Sequence, residues 1–405
     1  MNTQFNTIMI SANKAYDLIM ENKASWGEEE LSFDMALGRI LSEDILADRD
    51  FPPFDRVTMD GIGISYNENQ KTFKINGLQA AGMPQKTLEN QDECMEVMTG
   101  AICPVGIDTI IPYENISIKD GFATINEGVK KGKNIHRQAF DKSKGAVLIP
   151  KGKQISTAEI AVIASVGKSK VKVAKLPRVA IVSTGDELVE VEIQPERHQI
   201  RKSNVWALKA DLALLNIEAS MFHLIDKKSE IKKSLEEILL SFDAVLLSGG
   251  VSKGKLDYLP EIMEELNINK IFHRVKQRPG KPFWFGTFQN RVQFFAFPGN
   301  PVSTYSNFHR YFVPWLHISL GMEKRLPFKI RLVEEFNFDL ALTYFLQVKI
   351  VNTKNGIEAL PMMGKGSGDL ANLLDTDGFL VIPEEINHCP VGSEYEYIPF
   401  RKIGL

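Results

Sequence analysis

The chain has 405 residues, a formal net charge of −3 and three cysteines, Cys94, Cys103 and Cys389. Roughly two to four domains are expected, because one hydrophobic core rarely serves a chain of this length. The chain lacks the dense basic run of a nucleic-acid-binding protein, and its cysteines form no CxxC pair of the kind found in zinc sites. No segment approaches the roughly 18 consecutive apolar residues of a membrane span. We therefore expect a cytoplasmic protein with no membrane or nucleic-acid partner.

Two predicted helices flank a β-rich stretch in the first part of the chain. Residues 11–23 begin with a serine that can cap a helix, and they place apolar residues on one helical stripe. Residues 155–167 carry a glutamate three residues after a serine and end at a glycine, as helices commonly do. Between them, short apolar runs separated by Gly, Pro and Asp are typical of strands. We expect a discontinuous N-terminal helical and linker domain, residues 1–50 and 140–175, interrupted by a β-rich domain of residues 51–139.

From residue 178 onward, apolar β-branched runs alternate with helical segments. This alternation predicts a doubly wound, mostly parallel sheet over residues 176–325. The later runs FKIRLVEEFNF, YFLQVKIVN and GFLVIPEE are typical of short strands, so a small C-terminal β domain is expected at residues 326–405. The predicted fold class is a multidomain α/β protein in which a doubly wound α/β domain accompanies β-rich, N-terminal helical and C-terminal β domains.

The first strand of the predicted sheet ends in the motif VSTGDEL. Ligands of doubly wound sheets bind at the carboxyl ends of the strands, where this glycine turn presents Asp186 and Glu187. Adjacent carboxylates can hold a hard cation such as magnesium. An acidic pair that merely begins a solvated loop is an equally good interpretation of this motif alone.

The second strand, AVLLSGG, leads to Asp257 and the helical segment DYLPEIMEEL. Gly249, Gly250 and Gly254 allow backbone amides to approach an anion closely, and the N-terminus of the following helix adds partial positive charge. The sequence therefore predicts a phosphate cradle. Asp257 is interpreted either as a metal ligand or as the N-cap of that helix, and one residue can serve both purposes.

The third strand ends in FPGNP, residues 297–301, where Pro301 suits the first turn of a helix. A plain turn and a ligand-binding loop are equally compatible with this motif alone. All three turns occupy equivalent strand ends of one sheet, however, and this convergence favours a shared ligand site.

Several cations gather between the second and third turns, in the segment HRVKQRPGKP. Strand alternation would place Arg274, Lys276 and Arg278 on one side, and the Pro-Gly turn would bring Lys281 close to them. Such a concentration of cations binds an oxyanion or a phosphate. The alternative is a solvated strand face, but the neighbouring glycine-rich loop favours the anion site.

The order of the longer motifs is typical of one family: FPPFDRVTMDGIGI, VMTGAICPVGIDTIIPYE, VSTGDEL, LLSGGVSKGKLDY, RPGKPFWFG, FPGNPVS and GKGSGDLANLL. In these motifs, which cover nearly the whole chain, the sequence resembles the molybdopterin molybdenumtransferases, called MoeA in bacteria and the E domain in gephyrin. The resemblance implies insertion of molybdenum from molybdate into adenylylated molybdopterin with release of AMP, during molybdenum cofactor biosynthesis.

The resemblance also implies partners and a cofactor. Members of this family form head-to-tail homodimers whose cleft combines one subunit's β-rich domain with the partner's α/β domain. Mg²⁺ would act at the phosphates, and molybdopterin adenylyltransferase and other enzymes of the pathway would be transient partners.

Site residues carried over from the family's motifs fall into three groups. The catalytic group is Asp60, Thr99, Asp186, Glu187 and Asp257, in which Glu187 and Asp257 would bind magnesium and Asp60 and Asp186 would position the reacting groups. The group for the pterin phosphate is Ser248, Gly249, Gly250, Val251 and Asn300. The group for molybdate is Arg278, Pro279, Lys281 and Ser367, with Arg274 nearby.

Two departures from the family pattern concern the molybdate pocket. Many relatives carry lysine where this chain has Arg274 and Arg278, which preserves charge but changes hydrogen-bond geometry. Gln347 stands where relatives often have an arginine, so the pocket is either weaker or completed by Lys349 or Lys365.

Two other functions compete with the transferase. Adenylylation of molybdopterin is disfavoured because that enzyme resembles an isolated α/β domain and lacks the MDG and GSGDL regions present here. A non-catalytic scaffold, a role that gephyrin homologues have, is disfavoured by the retained acidic residues and cationic loop, although an additional binding role stays open.

Overall fold

A computed structural model of the chain describes residues 9–251, 258–324 and 326–401. The described residues form two compact units. The β-rich unit consists of Leu31–Leu37 and Glu43–Val171. The α/β unit consists of the described parts of Met1–Glu30, Gly38–Ser42 and Lys172–Leu405. None of the helices within the described ranges has the length and apolar character needed to cross a lipid bilayer.

The elements before residue 175 are mostly short strands. In chain order they are β1 (Ile10–Ser11), α1 (Ala12–Glu21), β2 (Glu28–Ser32), β3 (Ile45–Leu46), β4 (Arg56–Val57), β5 (Gly61–Ile64), β6 (Thr72–Gln79), β7 (Glu93–Val97), β8 (Thr109–Pro112), β9 (Ile116–Lys119), β10 (Phe122–Ile125), β11 (Ile135–His136), β12 (Val147–Ile149), α2 (Thr157–Ser165) and β13 (Lys170–Ala174).

Both helices predicted in this part of the chain are confirmed, together with their caps. The side chain of Ser11 accepts a hydrogen bond from the backbone N–H of Lys14 at 3.2 Å, which satisfies a free amide at the start of α1. At the start of α2, Ser156 and Glu159 form a reciprocal capping box.

The β-rich unit is built on a sheet whose described strands run in the order β8-β5-β7-β6-β10-β9. The strand β5 pairs with β7 in antiparallel register, Gly61 opposite Val97. A Cβ at Gly61 would lie 2.0 Å from the carbonyl oxygen of Ile111, so only glycine permits the close approach of β5 and β8. This pairing places the residue before β5, Asp60, near the end of β7.

The part of the chain from 179 to 319 alternates strands and helices, as predicted. Its elements are β14 (Val179–Thr184), β15 (Leu188–Val189), β16 (Ile200–Arg201), α3 (Asn204–Leu214), β17 (Ala219–Leu224), α4 (Lys228–Ser241), β18 (Ala244–Ser248), α5 (Leu259–Glu265), β19 (Asn269–His273), β20 (Val275–Arg278), β21 (Trp284–Phe288), β22 (Val292–Phe297), α6 (Pro301–Asn307), a π-helix (Phe308–Phe312) and α7 (Val313–Ser319).

The central sheet of the α/β unit has the strand order β17-β14-β18-β22-β21-β19. The strands β17, β14, β18 and β22 are parallel, whereas β21 and β19 extend the sheet in antiparallel pairing. Alternate residues of β14 enter two different cores: Val179 and Ile181 pack in the core that contains α3 residues, and Ala180 and Val182 pack in the core that contains α4 residues. The doubly wound arrangement follows, since both faces of the sheet are covered.

The C-terminal part is a β structure, as expected. Its strands are β23 (Lys329–Arg331), β24 (Phe336–Asn337), β25 (Thr343–Thr353), β26 (Gly356–Pro361), β27 (Gly378–Ile382), β28 (His388–Cys389) and β29 (Glu394–Pro399). The main sheet has the order β1-β20-β25-β27-β29-β23, with β26 paired to β25. The cationic strand β20 therefore pairs with β25 of the C-terminal sheet and not with the central α/β sheet.

The regular strand expected from Arg274 through Lys276 to Arg278 is interrupted at Arg274. Arg274 has a φ of 75°, a left-handed conformation that ends β19 and separates it from β20. Within β20 the alternation does hold: Val275 and Gln277 are fully buried, while Arg278 is exposed.

Candidate active site

The three predicted strand ends line one cavity of about 660 Å³ in the α/β unit. The turn after β14 contributes Gly185 and Glu187. The turns after β18 and β22 contribute residues 248–251 and 298–301. Because β14, β18 and β22 are adjacent and parallel, their carboxyl ends meet at one sheet edge, which is where a doubly wound fold binds its ligand.

The glycines after β18 shape one wall of this cavity. Gly249 and Gly250 have φ values of 101° and 67°. A Cβ at Gly250 would lie 2.1 Å from Cδ1 of Leu259 and 2.9 Å from Oγ1 of Thr184. The turn therefore requires glycine, and its residues line the cavity. The phosphate cradle itself stays a prediction.

Asn204 connects the ends of β18 and β22, and the sequence interpretation missed it. Its Nδ2 lies 2.9 Å from Oγ of Ser248, 2.8 Å from the carbonyl oxygen of Gly299 and 3.3 Å from Oγ1 of Thr304. Asn204 also lines the cavity at the start of α3. In the sequence it was visible only as a polar residue at a predicted helix start, a place where capping is the ordinary explanation.

Lys202 is a second cavity residue that the sequence interpretation missed. Its side chain is 8% exposed, lines the cavity and pairs with the Glu190 carboxylate at 2.5 Å. His223 lies in the same region, and its Nδ1 is 3.0 Å from Oγ of the cavity residue Ser183. Burial lowers the pKa of His223, and the positive charge of Lys202 lowers it further, against a smaller opposing effect of Glu190. The cavity thus has a buried cation on its wall.

The acidic residues after β14 have different positions. Glu187 lines the cavity, and a Cβ at Gly185 would collide with its carboxylate, so this carboxylate folds back over the turn. Asp186 does not line the cavity; its Oδ1 accepts a hydrogen bond of 3.0 Å from the backbone N–H of Asp226, which does line it. Asp257 lies outside the described residues.

The donor set fits a magnesium ion that is shared with a phosphate ligand. Among the described residues, no group of three or more His, Cys, Asp or Glu side chains has the arrangement of a self-sufficient metal site. Mg²⁺, however, usually takes only one or two carboxylates together with water and substrate phosphates. Glu187 and Asp226 supply carboxylates on the cavity wall, beside the glycine turn that suits a phosphate.

The GSG motif of the C-terminal part also reaches this cavity. Nδ2 of Asn300 donates a hydrogen bond of 2.8 Å to Oγ of Ser367, and the backbone N–H of Val302 donates one of 3.1 Å to the Ser367 carbonyl oxygen. Gly368 lines the cavity. Asn300 and Ser367, predicted for two different ligands, are therefore direct neighbours.

The residues predicted to bind molybdate at the Pro-Gly turn do not line the cavity. Arg278 and Lys281 are exposed, Arg274 is half-buried, and none of the three forms an ion pair with a described carboxylate. Burial raises the pKa of the Tyr344 phenol, and the nearby Arg278 guanidinium partly opposes that rise. The turn thus presents cations beside β25 that have no carboxylate partner in the described part of the chain.

Gln347, the departure noted in the sequence, lies on β25. Its Nε2 is buried and has no hydrogen-bond partner among the described residues. A buried donor without an acceptor is costly, so this position is able to donate to an added ligand, but without the charge of an arginine.

Asp60 and Thr99 lie together in the β-rich unit. The backbone N–H and the Oγ1 hydroxyl of Thr99 donate hydrogen bonds of 2.6 Å and 2.7 Å to Oδ1 of Asp60. The hydroxyl bond, followed by the amide bond, lowers the pKa of Asp60, so its carboxylate is ionised at neutral pH. The predicted pair therefore presents a fixed, exposed negative charge.

Three family descriptions match the chain: MoeA N-terminal region (domain I and II) over residues 10–167, Probable molybdopterin binding domain over 180–318, and MoeA C-terminal region (domain IV) over 329–400. A molybdopterin molybdenumtransferase from Synechocystis sp. is 38% identical over 93% of this chain and 96% of its own length.

Two solved structures have the same fold along their whole length. The molybdopterin biosynthesis moea protein from Pyrococcus horikosii has a TM-score of 0.80 and 31% identity, over 98% of this chain and 100% of that one. A moeA structure from Pyrococcus horikoshii OT3 has a TM-score of 0.82 and 26% identity, over 97% and 100%.

The fold and the cavity define a multidomain α/β protein with a cavity at the strand ends of a doubly wound domain. The chain belongs to the MoeA family of molybdopterin molybdenumtransferases. The resemblance and the fold class predicted from the motifs are confirmed.

A pH prediction follows from His223. The pKa of His223 is lowered from 6.5 in the folded protein. Between pH 6.5 and that lower value, the unfolded chain therefore binds a proton at His223 more readily than the folded protein does. The neutral imidazole therefore contributes stability above pH 6.5, and this contribution is lost as pH falls through the folded pKa. We expect His223→Gln to flatten the decrease of the urea unfolding midpoint between pH 7.5 and 5.5.

The matched control is His198→Gln, because His198 is largely exposed. This variant should keep the wild-type pH slope. An unchanged slope in His223→Gln as well would show that His223 does not titrate as described.

Proposed function

We propose that this chain inserts molybdenum from molybdate into adenylylated molybdopterin and releases AMP. One observation carries the proposal: the strand-end cavity combines a glycine turn suited to phosphate, carboxylates suited to magnesium and the buried cation Lys202. This combination fits a ligand with phosphate groups and an associated divalent cation. The cavity lies within the region that matches a probable molybdopterin binding domain, and the family membership supports a role in molybdenum cofactor biosynthesis.

In this proposal the cavity binds the nucleotide-linked pterin. Ser248, Gly249, Gly250, Val251 and Asn300 surround its phosphates, and Asn204 fixes the relative position of the turns. Glu187 and Asp257 hold Mg²⁺, which supplies charge neutralisation at the phosphates when it is bound. Asp186 accepts a hydrogen bond from the backbone N–H of Asp226. This bond fixes the backbone of Asp226 and so orients the Asp226 carboxylate.

Molybdate takes a separate place at the Pro-Gly turn. Arg278 and Lys281 attract the oxyanion, because both are free of described carboxylate partners. Arg274, Pro279 and Ser367 complete this group. Water cleaves the P–O–P linkage of the bound nucleotide, so AMP leaves and the other phosphate stays on the pterin. The two dithiolene sulfurs form bonds to molybdenum and displace one molybdate oxygen, which leaves as water with the two thiol protons, so molybdenum keeps its oxidation state.

We propose that the working form is a cytoplasmic homodimer. Asp60 and Thr99 of one subunit then complete the cleft of the partner, where Asp60 positions the reacting groups. The domain boundaries in this proposal are those expected from the sequence: residues 1–50 with 140–175, 51–139, 176–325 and 326–405. Molybdopterin adenylyltransferase hands over the substrate in a transient complex.

The direct test incubates the purified protein with adenylylated molybdopterin, Mg²⁺ and molybdate. We expect molybdate-dependent AMP release together with molybdenum retained on the pterin. Asp60→Asn is the informative variant, because an amide oxygen still accepts both bonds from Thr99 while the charge is lost. It should fold normally and lose most of the activity. Tight nucleotide binding by the wild type without turnover would indicate a scaffold instead.

A second prediction concerns Lys202. If its ammonium contacts a ligand phosphate, Lys202→Met should bind AMP roughly tenfold more weakly, since a hydrogen bond to a charged group is typically worth about that much. Calorimetric titration with AMP measures this. Lys209→Met is the control, because Lys209 contacts Trp206 on α3 and does not line the cavity. Equal AMP affinity in both variants would assign Lys202 only to its ion pair with Glu190.

A third prediction tests the shared cleft. Asp60 lies in the β-rich unit and Glu187 in the α/β unit, so each of the variants Asp60→Ala and Glu187→Ala should be inactive alone. After subunit exchange, heterodimers have one intact cleft, and about a quarter of the wild-type activity should return for random pairing. Mass spectrometry of differently tagged subunits verifies that exchange has taken place. If activity then fails to return, both residues act in the site of one subunit.

A further inference from the structure

The Pro-Gly turn that carries Arg278 and Lys281 rests on a buried polar cluster. We call it the Gln277 cluster; it consists of Gln277, Gly280, Asn307 and Tyr311. The three side chains are 0% exposed. The cluster includes the turn itself, because Gln277 and Gly280 flank Arg278 and Pro279 in the sequence.

Hydrogen bonds connect every member of the Gln277 cluster. Nε2 of Gln277 donates to the carbonyl oxygen of Gly280 at 3.1 Å and to Oδ1 of Asn307 at 2.6 Å. The Tyr311 hydroxyl donates to Oε1 of Gln277. Fully buried polar groups persist only when they are satisfied in this way, and such a network fixes one geometry.

The cluster also encloses the backbone of the turn. Gly280 has a φ of 92°, and a Cβ there would lie 2.7 Å from Oδ1 of Asn307 and 2.8 Å from Nε2 of Gln277. No side chain fits at this point. The backbone on both sides of Pro279 is therefore held by contacts with buried amides, while the cationic side chains project from it exposed.

The same helix connects this turn to the cavity. Asn307 is the last residue of α6, and Asn300, the N-cap of α6, contacts Ser367 at the cavity. A helix of this length spans about 10 Å. The Gln277 cluster is consequently tied through a short rigid element to the strand-end turn that contributes to the cavity.

We propose that Gln277 and Asn307 are positioning residues for molybdate: they hold the turn so that Arg278 and Lys281 meet a tetrahedral oxyanion at a fixed distance from the cavity. The inference deepens the proposed function and rests on it. Exposed cations on flexible stems bind oxyanions weakly unless their backbone is fixed in advance, because each binding event must otherwise order them. The Gln277 cluster fixes the backbone of the turn before the ligand binds.

The test measures binding of molybdate alone and of AMP alone by calorimetry. Gln277→Met keeps a side chain of similar length but removes both donated bonds, so molybdate affinity should fall roughly 10- to 100-fold, as expected when a binding group is displaced by about 1 Å. AMP affinity should stay within about twofold, the scatter expected when a site is left intact. A purely structural role would instead change both affinities or neither.

Two further variants keep the test decisive. Tyr311→Phe removes only the bond to Oε1 of Gln277, so it should fold and weaken molybdate binding by about threefold. Gln293→Met is the matched control: Gln293 is 3% exposed at the amino end of β22, away from the strand-end turns. It should leave molybdate binding unchanged.

The outcomes separate this inference from the proposed function. Wild-type affinity for molybdate in folded Gln277→Met and Tyr311→Phe proteins would overturn the positioning role. A wild-type protein that binds no molybdate would overturn it as well. A wild-type protein that binds molybdate but never releases AMP from the pterin nucleotide would contradict the proposed reaction and leave the positioning role standing.

Discussion

The parallel pairing of β14, β18 and β22 is the constraint on which the site depends. These strands are buried on both faces, so they form only where helices cover the sheet on both sides. Because the strands are parallel, their carboxyl ends, and the polar turns that follow them, lie at the same edge of the sheet. The cavity is thus a consequence of burying apolar strands. What the chain adds is local: glycines that open the turn after β18, and Asn204, which bonds to the residues following β18 and β22.

The second constraint is that the segment from β19 to β21 contributes strands to two different sheets. The chain leaves β19 of the central sheet through the left-handed residue Arg274, pairs β20 with β25 of the C-terminal sheet, and returns to the central sheet in β21. The Pro-Gly turn therefore joins β20 of the C-terminal sheet to β21 of the central sheet, and both sheets belong to the α/β unit. Together with the Asn300–Ser367 bond, this crossing joins the strand-end cavity to the proposed molybdate turn within a single compact unit.

Most of the architecture was predictable because it follows from local chemistry. Ser156 and Glu159 predict their capping box from spacing alone, and the buried runs of β14 and β18 predict a covered sheet. Lys202 and Asn204 were not predictable, because their importance depends on which turns the fold brings beside them. The break at Arg274 was missed for a different reason: a left-handed φ at an arginine carries no sequence signal when tertiary pairing imposes it. The assignments of catalytic roles, including that of Asp257, remain predictions.

The two proposed subsites differ in how charge is used. In the cavity the cation is buried and already paired with Glu190, so its field is weakly screened and a ligand phosphate must compete with a carboxylate. At the Pro-Gly turn Arg278 and Lys281 are exposed and form no ion pair with a described carboxylate, and salt screens them strongly. Charge alone would therefore make molybdate binding weak and unselective. In the proposed site, Gln347 has a buried Nε2 with no hydrogen-bond partner among the described residues, and the Gln277 cluster fixes the turn. Selectivity would then depend on geometry rather than on charge. Under the proposed function, that geometry is the property able to distinguish a tetrahedral oxyanion from a spherical anion such as chloride.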